Sequence, residues 1–599
     1  MSQNYINWQN LFSTVLKYIR RNFYIMKIFT NYTAPVYNNY MTFGARKKVS
    51  TMPEEKNNGN IILLVGCDNI LGNLKVNKMS ETDKFGLLKD NLANKVAPVL
   101  LRSGEDEWNF YINSTPENMQ KVQESEDRYY DVYRNKDMYN AFLQIDKTKL
   151  SKHDAKILKD ILKEFDEVIN TGDDLKALNN KENEISQKFN NYVMTIDGKE
   201  VSNAEITDIL QSETDPIIRK KAYDAKMKRG DLIAEDLREL VNMRNAYAKK
   251  QGYNDYFDYK LKETYNVEPE FLDDLLNQVY TKAKSKIKKI QKNDTAELQK
   301  FYGTKNLEAY HWGLLLDSHP DKAVNKILKE LGKKNPKIVE EISKKTYEGM
   351  GYDVDEMLNT GRLTLDLYPR KNKNTHGFCF FVEYGKDARI LANLNNNIRS
   401  IDTLNHEMGH SVYTLGVPTS LQFFDRKDAS PAMTEAIAMM MGDLVRTENI
   451  LKDYIPNKNL KGIKKFFSTD ECDFITKSSM IIEFEREMYK NPDKDPAQIW
   501  KEKKLKYKNR DEKADNEWAT IPHFLSHPAY YQNYFRATLM KAQIYNHLKS
   551  KFGNITENKK VADYMNKEFF SYGATLDEYD LVEKFTGKPF SADDFVKNL

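Results

Sequence analysis

From about residue 80 onward, apolar side chains return at three- and four-residue steps, the spacing of a helix that buries one face. In 235–250 the stripe is Leu237, Leu240, Val241, Met243 and Tyr247, and Gly252 follows as a stop signal. Stripes of the same kind mark 153–169, 271–290, 322–331 and 535–549, with short punctuation such as Asn170–Asp174 between them. The strongest exception to the helical period is 362–394. There the runs Arg362–Arg370, Thr375–Val382 and Arg389–Asn393 are short, aromatic and β-branched, which predicts a small sheet. The pattern therefore predicts a mostly α fold, with a small β-sheet just ahead of a helix that starts near Ile401.

Composition narrows the class of protein. The 599 residues are 40% hydrophobic and 30% charged, enough apolar material for a large core. Lys+Arg at 92 against Asp+Glu at 88 leaves +4, too small a basic excess for a nucleic-acid binder. The three cysteines, Cys67, Cys379 and Cys472, exclude a disulfide framework and a Cys-x-x-Cys ribbon, so any metal must rest on histidine and carboxylate. No run of 18 or more apolar residues occurs, and no membrane-spanning helix is expected.

Residues 1–70 read differently from the rest. Lys17, Arg20, Arg21, Lys27, Arg46, Lys47 and Lys48 precede the first acidic residue, Glu54, which is the composition of a leader. Leu64–Cys67 ends a short apolar run in the form of a lipoprotein cleavage box, although a buried strand fits the same run. Export to the cell envelope and a cytoplasmic location are both open on this evidence. We set 1–70 apart as a leader or poorly ordered segment and take 71–599 as the folded body. Its helical first part covers about 71–350, and the part from about 351 to 599 carries the chemistry.

That chemistry begins at Ile401–Tyr413, which contains His406-Glu407-Met-Gly-His410. Histidines four apart on a helix differ by only about 40° in azimuth, so both imidazoles leave from one face and one cation can reach both. Glu407 is turned about 100° from His406, beside such a cation rather than on it, where it can take a proton from an attacking water. A catalytic zinc site needs a third protein ligand and one open position. Ser430-Pro431 has the form of an N-cap and first helical residue, and the helix it opens carries Glu435 among apolar neighbours. A carboxylate buried there needs a partner, and the metal is the simplest one.

His406–His410 followed 25 residues later by Glu435-Ala-Ile resembles the peptidyl-dipeptidase A (angiotensin-converting enzyme) family of zinc peptidases. It also resembles the related thimet and oligoendopeptidase F-type oligopeptidases. Gly385–Ile390, preceded by His376-Gly377, is similar to the strand that lies along the substrate in converting enzymes, and Leu365–Arg370 to a thimet-type segment. Trp518–Phe535 is similar to the segment that closes over the scissile bond, with Tyr534 and His523 at its tyrosine and histidine, and with His527 and Tyr531 as further substrate contacts. The resemblance implies a two-lobed helical gluzincin with a deep central channel, one Zn²⁺ per chain on His406, His410 and Glu435, and hydrolysis of short peptides with Glu407 as base. A catalytically silent peptide-binding homologue is the alternative from another class, and intact Glu407 speaks against it.

Two departures from the converting-enzyme pattern matter. Met439 stands where those enzymes place an Asp that orients a ligand histidine, and Asp402, four residues before His406, is the candidate substitute. Ile521 stands where they place the Lys that grips a free C-terminal carboxylate. The expectation is internal cleavage of oligopeptides rather than release of C-terminal dipeptides.

Overall fold

Polar caps written into the sequence open many of the helices. Ser80, Thr115, Asn135, Ser202, Asp215, Asp255 and Ser430 each accept a backbone N–H of the first helical turn. The computed structural model describes residues 79–599 apart from 170–171, 317–318 and 375, so the expected leader or poorly ordered segment over 1–70, with the candidate box at Cys67, lies outside the described residues. Among the described residues no helix is long and apolar enough to cross a membrane.

Helices α1 (Glu81–Ile112), α2 (Pro116–Tyr133), α3 (Lys136–Leu143) and α4 (Lys152–Ile169) pack around Phe85, Phe142 and Phe165. After α5 (Asp173–Asn191), a short hairpin of β1 (Met194–Ile196) and β2 (Lys199–Val201) leads to α6 (Asn203–Ser212). Then come α7 (Pro216–Lys250), α8 (Tyr256–Thr264), α9 (Pro269–Tyr302), α10 (Pro320–Lys334), α11 (Ile338–Met350) and α12 (Val354–Asn359). The expected sheet follows as β3 (Leu363–Asp366), β4 (Phe378–Glu383) and β5 (Asp387–Leu391), in the order β3-β5-β4. Leu365 pairs with Ile390 in parallel register and Phe380 with Arg389 in antiparallel register. Beyond it lie α13 (Ile398–Gly416), α14 (Pro431–Thr447), α15 (Asn457–Leu460), α16 (Ile463–Lys490), α17 (Pro496–Lys508), α18 (His523–Ser526) and α19 (Tyr531–Phe552). The chain closes with α20 (Lys560–Glu568), α21 (Glu578–Thr586) and α22 (Asp593–Asn598).

Helix α1 is tied to the sheet by aromatic packing and charge. Trp108 stacks on Phe380 at 6.4 Å, Tyr111 meets Phe378 edge-on at 5.0 Å, and Arg389 is held by Glu105 at 2.6 Å. Two large hydrophobic cores lie beyond it. One gathers residues of α10, α11, the sheet, α13 and α14, and the other residues of α7–α9, α16 and α17. Helix α19 serves both, because Ala537, Met540 and Ile544 face the first core and Phe535, Leu539 and Ala542 the second. The two cores draw on residues from both sides of residue 350: α10 and α11 share the core of the sheet, α13 and α14, and α16 joins the core of the earlier helices. Contacts made at long sequence separation set that division, and no local pattern announces them.

Candidate active site

Both histidines of the motif sit in the middle of α13, which begins at Ile398 under an Asn397 cap and runs past Ile401 in both directions. Their rings are 4.9 Å apart and nearly perpendicular, as a common helix face requires. Helix α14 crosses directly behind. Ser430 caps it and Pro431 occupies its first turn, as the sequence implies, and one turn on Glu435 points back at α13 with a carboxylate oxygen 3.6 Å from Nε2 of His406.

Two carboxylates therefore face the histidine pair, and their other contacts separate them. Glu407 belongs to a group with His406 and His410 whose ligand atoms lie within 4.8 Å of one another, but it also accepts the backbone N–H of Cys379 on β4. Glu435 is buried beside His406, and burial alone, with no hydrogen bond, shifts its carboxyl. Glu407 is thus tethered to the strand while Glu435 is free to ligate. Buried polar atoms normally find a hydrogen bond, yet Nε2 of His410 and Oε2 of Glu407 have no protein partner. Two imidazole nitrogens and a carboxylate converging around such unpartnered atoms are the donor set of a catalytic zinc site.

Burial explains the electrostatics. It pushes Glu407 up to about 8, with Glu435 adding to the effect, and Glu435 up to about 7. The same burial lowers His406 to about 4, and it holds His410 well below its ordinary value, helped by His406. Both imidazoles are therefore neutral with lone pairs to offer, and both carboxyl groups would gain from a cation placed among them.

The second half of the site comes from α18 and the start of α19. His523, His527, Tyr530, Tyr531 and Tyr534 form one ring cluster, with His523 4.9 Å from Tyr531 and 6.1 Å from Tyr534. Burial holds the Tyr534 phenol well above its usual value, and the Glu435 carboxylate adds to that, which places the two near one another. Burial, His527 and the Lys477 ammonium together bring His523 down to about 3. His376 and Gly377 lie just ahead of β4, and a Cβ on Gly377 would meet Thr403 of α13 at 3.4 Å. The sheet end and the metal helix are therefore adjacent.

Buried residues to which the sequence assigned no role at the site hold the His523–Tyr534 segment in place. Arg244 of α7 donates to the carbonyls of Phe524, at 2.6 Å, and Leu525, while Glu182 and Tyr489 take its remaining N–H groups. Ala529 adopts a left-handed φ of 61°, which costs a non-glycine residue on the order of 1 kcal/mol. Glu485 accepts its N–H at 2.8 Å and fixes that turn. At the other end, Ser430 donates to Glu578, which also pairs with Arg536 of α19, so the helix of Glu435 and the helix of Tyr534 share one anchor.

Asp402 does not take the place expected for it. Its carboxylate accepts from Arg446 of α14 at 2.7 Å and makes no hydrogen bond to an imidazole, although its charge still acts on His406, because the i,i+4 spacing lets two residues share a face without setting which neighbour they turn to. The hydrogen-bond partner of a motif imidazole is Thr434 instead, whose hydroxyl lies 2.9 Å from Nδ1 of His410.

A sequence model of peptidase family M3 matches residues 209–599, which include every helix and strand of this site. The matched family is of the thimet and oligopeptidase type, and the resemblance to converting enzymes gains no support from it. No curated protein sequence matches the chain.

Proposed function

Because the chain belongs to peptidase family M3 and is thus a metallopeptidase, we propose that it hydrolyses internal bonds of short oligopeptides at the site built by α13, α14 and α19. His406, His410 and Glu435 would hold the zinc ion on which this family depends. Bound there, zinc supplies Lewis-acid polarisation of the scissile carbonyl and of the attacking water. Glu407, held by the N–H of Cys379, takes the proton of that water and passes it to the leaving amine. The Tyr534 hydroxyl and the His523 ring donate to the carbonyl oxygen as it gains charge. The resemblance of His376-Gly377, Tyr531 and His527 to substrate-contacting residues supports placing the peptide between β4 and the ring cluster.

The observation that carries this reading is the pair of unpartnered buried atoms, His410 Nε2 and Glu407 Oε2, beside a buried Glu435 that lies 3.6 Å from His406 Nε2. Internal cleavage is supported by Ile521, which lies partly buried against an apolar core where a carboxylate-gripping Lys would be needed. The test incubates the purified chain and its Glu407→Gln variant with a peptide mixture, with and without a chelator, and reads products by mass spectrometry. We expect chelator-sensitive internal cuts, a loss of at least about 10²–10⁴-fold in the variant, and unchanged zinc content. Hydrolysis that survives the chelator or the variant rejects the reading. A rate that collapses when the peptide C-terminus is amidated favours dipeptide release instead.

A further inference from the structure

Thr434 immediately precedes Glu435 on α14, among the buried residues Ala432, Met433, Ala436 and Ile437. Its hydroxyl departs from the usual habit of helical threonines. Those of Thr346, Thr447, Thr476 and Thr538 return to the carbonyl four residues back. That of Thr434 goes to Nδ1 of His410, and both side chains are fully enclosed.

The direction of that bond follows from proton counting. A neutral imidazole carries one N–H. Were Thr434 the donor, the ring proton would sit on Nε2, which is buried and has no acceptor. The ring must therefore donate from Nδ1, leaving its Nε2 lone pair aimed into the site. The Thr434 hydroxyl, having accepted, needs an acceptor for its own proton. The carboxyl of Asp428, buried in the turn before the Ser430 cap, lies beside that hydroxyl: burial pushes it up to about 7, and the Tyr384 and Thr434 hydroxyls oppose that by favouring its charged form. Tyr384 donates to its Oδ2 at 3.2 Å, while its Oδ1 has no hydrogen-bond partner and is open to the Thr434 proton.

We propose that Asp428 and Thr434 form a relay that fixes the orientation and tautomer of His410 and strengthens it as a metal donor. The relay rests on the reading of His410 as a ligand. A carboxylate behind a ligand histidine is a common way to orient it and raise its basicity, and here a hydroxyl is interposed. Both members act through His410 and are positioning residues.

The test measures zinc affinity of the full chain by competition with a chromogenic chelator, alongside thermal unfolding of the metal-free proteins. Thr434→Val keeps the shape and removes the hydroxyl, so affinity should fall about 10–100-fold with little change in metal-free stability. Thr434→Ser restores the hydroxyl and should bind close to wild type. Asp428→Asn should fall in the same direction as Val, by less, because the amide oxygen still accepts. Unchanged affinity in Thr434→Val, or a Thr434→Ser variant as weak as Val, overturns the relay. If Thr434→Val does not fold, Thr434→Ser and Asp428→Asn decide alone, and wild-type affinity in Asp428→Asn rejects the carboxylate's part. His410→Ala should abolish tight zinc binding throughout. Zinc retained by that variant would reject the ligand reading itself, which separates the two failures.

Discussion

Gly409 lies against Ala438 where the two site helices cross: a Cβ added to the glycine would stand 2.9 Å from the Ala438 Cα and 3.1 Å from the Cβ of Met441. On the far side of the same crossing, a Cβ on Gly442 would stand 2.6 Å from Asp402 Oδ1 and 3.4 Å from the Cβ of His406. Two glycines, one on each helix, therefore set how closely Glu435 approaches the histidines. Gly409→Ala should push the helices apart, cost about 1–3 kcal/mol of stability through overpacking, and weaken zinc binding. Thermal unfolding with and without zinc checks both parts, and an unchanged zinc-dependent gain in melting temperature would show that the crossing tolerates the methyl group.

Arg244 holds the segment of His523 without touching the metal site. Arg244→Met leaves two carbonyls and Glu182 short of a donor, and breaking such a buried pair costs about 3–5 kcal/mol. Displacement of His523 should lower kcat by up to about 10²-fold. Zinc content should stay at the wild-type level, because no metal ligand lies on that segment. Arg244→Lys should not rescue, since one ammonium cannot replace the planar fork. Steady-state kinetics with metal analysis on the same samples separates this from general unfolding, which would lower zinc content as well.

Asp402→Asn tests what the pairing with Arg446 implies. With no imidazole in contact, zinc affinity should change by less than the roughly 10-fold typical of a lost orienting partner. Stability should fall instead, by about 1–3 kcal/mol, as a charge-assisted bond to a largely buried Arg446 weakens. A large loss of zinc affinity with intact stability would return Asp402 to the role of orienting His406.

Stability should depend on pH through Glu107, which lies on α1 near the packing of Gly104 against Val382. Burial pushes its carboxyl up to about 7 from the ordinary 4.5; the Ser103 hydroxyl opposes this, and Asp106 adds to it. Between those two values the folded chain keeps a proton that the unfolded chain has lost, so stability falls as pH rises and stays reduced above about 7. The full effect is on the order of 3 kcal/mol. Glu107→Gln keeps the acceptor for Ser103 and removes the titration. Its melting temperature should match wild type near pH 4.5 and exceed it increasingly up to pH 8, whereas a constant offset across that range would contradict the shifted carboxyl.

Features that repeat within one helix were settled by the order of residues alone. The stripe of Leu237, Leu240, Val241 and Tyr247, the Ser430-Pro431 start and the shared face of His406 and His410 all follow from 3.6 residues per turn and from the unpaired N–H groups of a first turn. So did the place of the sheet, where aromatic and β-branched residues break that period. Meetings between helices were settled only by the tertiary structure. Asp402, 4 residues before His406, is the partner for an imidazole that the sequence suggests, whereas Thr434, 24 residues after His410, carries no such signal. The crossing at Gly409 turns one toward Arg446 and the other toward His410. Arg244 reaches Phe524 across 280 residues. Helical periodicity fixes the azimuth of a side chain on its own axis, but the neighbour it finds there depends on how two surfaces pack, and surfaces this far apart in the chain leave no mark in local spacing.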